Sequence, residues 1–438
     1  MSASSVSPLE VVESRVQDRA KEQALDPTNA EGAGQLRQLI DDEIDSWRDE
    51  YRRGRQPIDI ADPTAASERA FDNLARYGPL TDLLQDDDVW EIMVNAPDEV
   101  FVRRHRGPSG YHDEVFRDDE HVVRTLTKLL DDASTSHRKL DPAEGLQDAQ
   151  LDNGARVHIV HGDLSRGGHL MINIRKFTGV PFVHLDELVG GGMLAPQAAA
   201  FLAACVRAGS SIVFSGAPGS GKTTLLSCCA AELDPAKRVV IAEEVFEADV
   251  PLANIAQMQT RPARADRPAV DLRRLVAGFL RMAPDVAIVG EVRDREALPL
   301  LLTLSSGVKG FTTIHAGSAR QALTRLRFVC QLSDKSIALP MSALNTLVAE
   351  SIDLVVHCVR GPDGPRVREI VAVEDLAGGP EATQFTTTDC FRRASYDQAL
   401  EWTGNVPVRL ARILDEGAID ALTNLADEPR ARTHWEAF

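Results

Sequence analysis

Residues 211–224 read "SIVFSGAPGSGKTT", an apolar run that enters three glycines and leaves through Lys-Thr-Thr. The pattern G-x-x-x-x-G-K-[ST] runs from Gly216 through Gly221 to Lys222 and Thr223. Its flanks give it meaning. Ser211 to Ser215 alternates as a short buried strand does, and "TTLLSCCAAEL" has the Leu/Ala spacing of a helix, so the loop stands between a strand and a helix. Gly216, Gly219 and Gly221 let the backbone turn where a side chain would clash, so that successive N–H groups point inward at an anion. A plain Gly-rich turn leaves the lysine and hydroxyl unexplained. The loop Gly216, Ala217, Pro218, Gly219, Ser220, Gly221, Lys222, Thr223 and Thr224 is therefore expected to cradle nucleotide phosphates. Lys222 would reach the β- and γ-phosphates of ATP, and Thr223 would offer Mg2+ a hydroxyl ligand.

The remaining composition bounds the setting. With 438 residues, 43% hydrophobic and 26% charged, the chain has the make-up of two or three globular domains. The longest apolar stretch, "MLAPQAAAFLAACV", is Ala-rich and too short to span a bilayer, so no transmembrane segment is expected. The opening "MSASSVSPLEVVESRVQDRAKE" lacks the charged and apolar halves of a signal peptide, which places the chain in the cytoplasm. Cys205, Cys228, Cys229, Cys330, Cys358 and Cys390 contain no C-x-x-C pair and read as packing residues. A net charge of −18 tilts against a nucleic-acid-binding surface.

The pattern along the chain suggests a helical segment over 1–60, an α/β domain over 61–178, a linker over 179–192, the phosphate-loop domain over 193–375 and an appendage over 376–438. In the first segment Leu36, Leu39, Ile40, Ile44, Trp47 and Tyr51 recur at three and four, an apolar stripe that needs a partner. In the phosphate-loop domain "SIVFSG", "RVVIAEE", "DVAIVGE", "GFTTIHA", "IDLVVHCV" and "REIVAVED" alternate with helical stretches, which predicts a mostly parallel sheet covered on both faces. Ligands on such sheets collect at the carboxyl ends of the strands.

Three further constellations end strands of that sheet. In "DVAIVGEVRD", Glu291 follows a buried strand and can polarise a water or hold magnesium; a solvated glutamate is the plain alternative. In "VVIAEEVFEADV", Glu243, Glu244 and Glu247 cluster at a strand end, where paired acids suit metal-water positioning. In "GFTTIHAGSARQALTRL", His315 stands between a strand and a helix, a place where an imidazole can read nucleotide state, although a lone histidine is also commonly structural.

With these motifs in order the chain resembles the type II/type IV secretion ATPases. "GAPGSGKTT" resembles their Walker A loop, "EEVFEA" their acidic box, "LRMAPDVAIVGEVRD" their atypical Walker B and "GFTTIHAGSARQALTRL" their histidine box. "DDDVWEIMVNAPDEVFV", "LDNGARVHIV" and "MINIRKF" resemble their N-terminal domain, and within the family the chain is most similar to the CpaF-type ATPases of tight-adherence pili. The resemblance implies a RecA-like P-loop NTPase domain behind an α/β N-terminal domain. It also implies a homo-hexamer acting with inner-membrane platform proteins, peripheral to the cytoplasmic membrane. Glu291 would be the catalytic carboxylate, Glu243 and Glu244 would assist metal and water, and His315 would sense the γ-phosphate. Metal contacts would fall to Thr223, Glu244 and Glu291. Arg138, Arg156 and Arg175 match segments that bring positive charge to the nucleotide, and Arg261 and Arg281 occupy similar places on the motor domain; each could also serve a surface ion pair. Transport motors of pilus assembly and of type IV secretion or conjugation both fit, as does a nucleotide-dependent scaffold with little turnover.

Overall fold

The computed structural model describes residues 7–104, 107–133, 139–176, 182–261, 268–332, 339–379 and 384–414. The chain divides into two compact units, residues 1–178 and 179–438.

The first unit opens with three helices, α1 (Pro8–Glu22), α2 (Ala30–Arg52) and α3 (Pro63–Ala75). Their starts are chemically marked: Asn29 accepts from Gly32 N, and Asp62 accepts from Thr64 N and Ala65 N with Pro63 at the first helical position. The apolar stripe of α2 finds its partner inside its own unit, because Leu36, Leu39, Ile40, Ile44 and Trp47 pack with Val12 and Val16 of α1 and Ala70 and Phe71 of α3. Helix α3 therefore completes this bundle, and the expected boundary at residue 60 falls short of it. Its sequence "PTAASERAFDNLA" carries too few apolar residues to show the period clearly.

After the bundle comes an antiparallel sheet of β1 (Val89–Ala96), β2 (Glu99–Arg104), β3 (Gly110–Tyr111), β4 (Leu146–Gln150), β5 (Arg156–Val160) and β6 (Met171–Arg175), in the order β3-β2-β1-β6-β5-β4. Every second residue enters the core: Ile92, Val94, Val100, Val102, Val157, Ile159, Ile172 and Ile174 pack with Val122, Leu126, Leu129 and Leu130 of the helix Asp119–Asp132.

The second unit is built on β7 (Ile212–Gly216), β8 (Val239–Glu243), β9 (Ile255–Gln259), β10 (Val286–Val289), β11 (Lys309–Ile314), β12 (Leu354–Gly361), β13 (Gly364–Val373), β14 (Thr387–Arg392) and β15 (Glu401–Trp402). The order is β15-β14-β13-β12-β7-β11-β10-β8-β9. From β12 to β9 every neighbouring pair is parallel, and β13 to β15 continue antiparallel. Strands β7, β8 and β10 are buried throughout, as a sheet covered on both faces requires. Ile212 and Phe214 face one core and Val213 the other.

Two expectations change here. Residues from 376 onward do not stand apart: β14 and β15 extend the same sheet, Cys390 and Phe391 are fully buried, and Phe391 meets Trp402 edge to face at 5.1 Å. Arg409 ties the following segment down by donating to the Ala349 and Glu350 carbonyls and to Asp353. Beyond β15 the described chain makes a single turn at Leu410–Arg412; 415–438 lie outside the described residues. Likewise residues 182–192 are no free tether, since the helix Leu185–Gly190 sinks Leu185 and Leu188 into the core.

Candidate active site

The phosphate loop follows β7. Gly216 has φ 149°, and a Cβ there would stand 2.2 Å from the Cys358 carbonyl oxygen and 2.5 Å from Ser220 Oγ. Gly219 (φ 70°) and Gly221 (φ 84°) take the left-handed conformation, the latter as the cap of the helix Lys222–Ala230. Lys222 is buried and its Nζ donates to the Ala217 carbonyl at 3.0 Å. Ser220 Oγ is buried without a hydrogen-bond partner inside the loop. Arg360, at the far end of β12, donates to the Gly219 carbonyl at 3.0 Å. Beneath the loop Ser215 Oγ lies 3.0 Å from Nδ1 of buried His357, whose pKa burial pushes down.

The ends of β10 and β11 bring Glu291 and His315 together, with His315 Nε2 2.8 Å from Glu291 Oε1. His315 Nδ1 lies 3.1 Å from the Gly216 carbonyl and 3.4 Å from Lys222 Nζ. A continuous polar path therefore runs from the loop lysine through the imidazole to the carboxylate. Oε1 is buried, and His315 is the polar group that stands closest to it. The other oxygen, Oε2, accepts from Arg293 Nη2 at 2.6 Å, and Arg293 Nη1 reaches Glu244 Oε2 at 2.9 Å. Burial alone would raise the Glu291 pKa; His315 and Arg293 outweigh it and hold the carboxyl down to about 2, so the group is ionised near neutrality.

Residues 73–393 match the family described as type II/IV secretion system protein. The chain belongs to that family. With the phosphate loop described above, it is a P-loop ATPase of the secretion class. Type IV secretion system protein PtlH of Bordetella pertussis is 31% identical over 315 residues, 66% of this chain and 91% of PtlH. The probable conjugal transfer protein TrbB of Sinorhizobium fredii is 30% identical over 315 residues, 68% of this chain and 86% of TrbB. Among solved structures, the VirB11 ATPase of the Brucella suis type IV secretion system is similar with 26% identity and a TM-score of 0.36 over 67% of this chain and 94% of that one.

The other expected site residues of this secretion ATPase take varied places. Glu243 is 2% exposed and turned into the protein: Oε1 accepts from Glu247 N at 3.1 Å and Ala248 N at 2.9 Å, and Oε2 accepts from Gln257 Nε2 at 3.1 Å. Burial raises its pKa. Glu244 is half exposed on Arg293. Arg138 lies outside the described residues. In the first unit Arg156 and Arg175 face each other across β5 and β6, Arg175 stands 5.8 Å from the Trp90 ring centroid, and its other cross-strand neighbour is Glu91. Arg261 forms an isolated bridge with Val270 and donates to the Pro268 carbonyl. Arg281 is exposed on the turn Phe279–Met282.

The residues fit a magnesium nucleotide. The left-handed Gly219 and Gly221 and the orphaned Ser220 hydroxyl both suit a phosphate. Among the described residues no cluster of three or more His, Cys, Asp or Glu could cage a metal. Mg2+ would rest on Thr223, phosphate oxygens and water, with Glu291 and Glu244 as outer partners. Sequence reasoning missed Arg293, Arg360 and His357, although Arg293 stood inside the quoted "GEVRD".

Proposed function

We propose that this secretion ATPase is a homo-hexameric motor that couples ATP hydrolysis to assembly of a pilus or export of protein subunits through the bacterial envelope. It would work from the cytoplasmic face on inner-membrane platform proteins. The observation that carries the reading is the path Lys222–His315–Glu291, which joins the phosphate loop to a half-buried ionised carboxylate. Lys222 binds the β- and γ-phosphates, Glu291 orients the attacking water, and His315 reports the γ-phosphate to the helix Ala319–Leu332 behind it. Glu243 braces the turn 244–248 and does not itself reach the nucleotide. Bound Mg2+ would neutralise phosphate charge. Among the described residues no helix is long and apolar enough to cross a membrane.

The relatives described as type IV secretion and conjugal transfer proteins favour a second reading, the same engine on a conjugation or type IV secretion apparatus. Co-purification from membranes separates the two by the platform protein recovered. Lys222→Ala tests the shared reading: the folded protein should lose nucleotide binding and turnover together, whereas hydrolysis within about twofold of wild type contradicts a phosphate loop. A scaffold without turnover would bind ATP and leave it intact in the wild-type protein. For the ring, Arg138, Arg156 and Arg175 would be supplied across a subunit boundary, so mixing Arg156→Ala with Lys222→Ala protein should restore activity in mixed rings. Concentration-independent activity from a monomer, with no rescue, contradicts it.

A further inference from the structure

Glu291 is held by two side chains of different attachment. His315 approaches Oε1, and its ring also meets the loop lysine and the Gly216 carbonyl, the places a bound γ-phosphate would compete for. Arg293 grips Oε2 and is anchored away from the loop. Its side chain bridges to Glu244 at the end of the neighbouring strand. Its backbone N–H, with that of Asp294, donates to Glu296 Oε1, a carboxylate only 5% exposed at the start of the helix Ala297–Ser305. One handle on the carboxylate therefore belongs to the nucleotide site, and the other belongs to the scaffold.

We infer that Arg293 is a positioning residue for hydrolysis: it fixes Oε2 so that Oε1 stays aimed at the phosphate loop when His315 leaves for the nucleotide. The inference rests on Glu291 being the carboxylate that orients water. A guanidinium suits the task because its planar fork serves two acids from two strands at once, which the point charge of an ammonium does not. Arg293 is about half exposed, so solvent screens the pair and its worth lies in direction more than in stability. Its guanidinium ends on Glu244 and Glu291, one acid from each of two strand ends.

The test uses the full chain with Mg2+ and a non-hydrolysable ATP analogue beside steady-state turnover. Arg293→Ala should lower kcat by about tenfold to a hundredfold, while KM and the analogue Kd stay within about threefold of wild type. Arg293→Lys should recover part of the loss, which also separates misfolding from misplacement. On a Glu291→Gln background Arg293→Ala should add nothing, because the group it positions has gone. Loss of analogue affinity in step with turnover would make Arg293 a phosphate ligand and overturn the inference. So would an undiminished kcat, or an equal loss on the Glu291→Gln background. If instead Glu291→Gln alone turns over as wild type does, the underlying reading of Glu291 fails, and that result is distinguishable from any of these.

Discussion

Glu243 and Glu291 lie at the ends of neighbouring parallel strands, β8 and β10, and the sequence gives both a part in the chemistry, Glu291 as catalytic carboxylate and Glu243 as its assistant on metal and water. The fold separates them. Glu243 is enclosed by two backbone amides and the Gln257 side chain, and burial raises its pKa. Glu291 sits two residues beyond its strand, between Arg293 and His315, and is held down to about 2. One carboxylate is spent on holding a turn, and the other keeps an ionised oxygen facing the imidazole that touches the phosphate loop. Position on the sheet places an acid near the chemistry; the partners of its oxygens decide whether it takes part.

Substitutions can break this contrast, beginning with the largest effect. Glu291→Gln should keep ATP binding and lose about two to four orders of magnitude in turnover, read by analogue titration and steady-state hydrolysis. Gly290→Ala strikes between the two acids, because a Cβ there would stand 2.8 Å from Glu243 Cγ. The overpacking should cost about 1–3 kcal/mol in denaturant unfolding, with turnover falling as β10 shifts. Glu243→Gln leaves either both backbone amides or the Gln257 amide facing an NH2 group, so it should destabilise by about 1–3 kcal/mol while turnover stays within about tenfold.

The smallest effect sharpens the contrast from the first unit, where a buried histidine is tuned by its surroundings and has no reaction to perform. His121 is pushed down to about 4, chiefly by burial, with Arg124 and Arg117 adding to it, Asp118 opposing it and Arg69 contributing less. As pH falls from about 6.5 toward 4 the unfolded chain takes a proton that the folded chain refuses, so stability is lost in that window, on the order of 3 kcal/mol at most. Glu13, raised by burial, works in the opposite sense and trims the loss. Thermal unfolding at about pH 7 and about pH 5 should show the drop in wild type and a flatter response in His121→Gln.

The phosphate loop was legible because its glycines, lysine and hydroxyl act within a few residues of one another, and the parallel strands were legible as continuous apolar runs. Strands β14 and β15 were not, since "TTDCFR" and "EW" carry little apolar pattern and take their place by pairing, β14 with β13 and β15 with β14. Helix α3 failed for the same reason. Within the site, Glu243 and Glu244 were grouped by adjacency, yet their fates depend on Gln257 and Arg293, partners distant in sequence. Arg360 lies 141 residues beyond the glycine it contacts, a pairing that spacing does not reveal.

The contrast between the two acids is tested most directly by the identity of the nucleotide held after mixing with labelled ATP and Mg2+. Wild-type and Glu243→Gln protein should carry ADP after one turnover, and Glu291→Gln protein should carry intact ATP. ADP appearing at equal rates in all three, or ATP trapped by Glu243→Gln instead, would contradict the assignment of chemistry to Glu291.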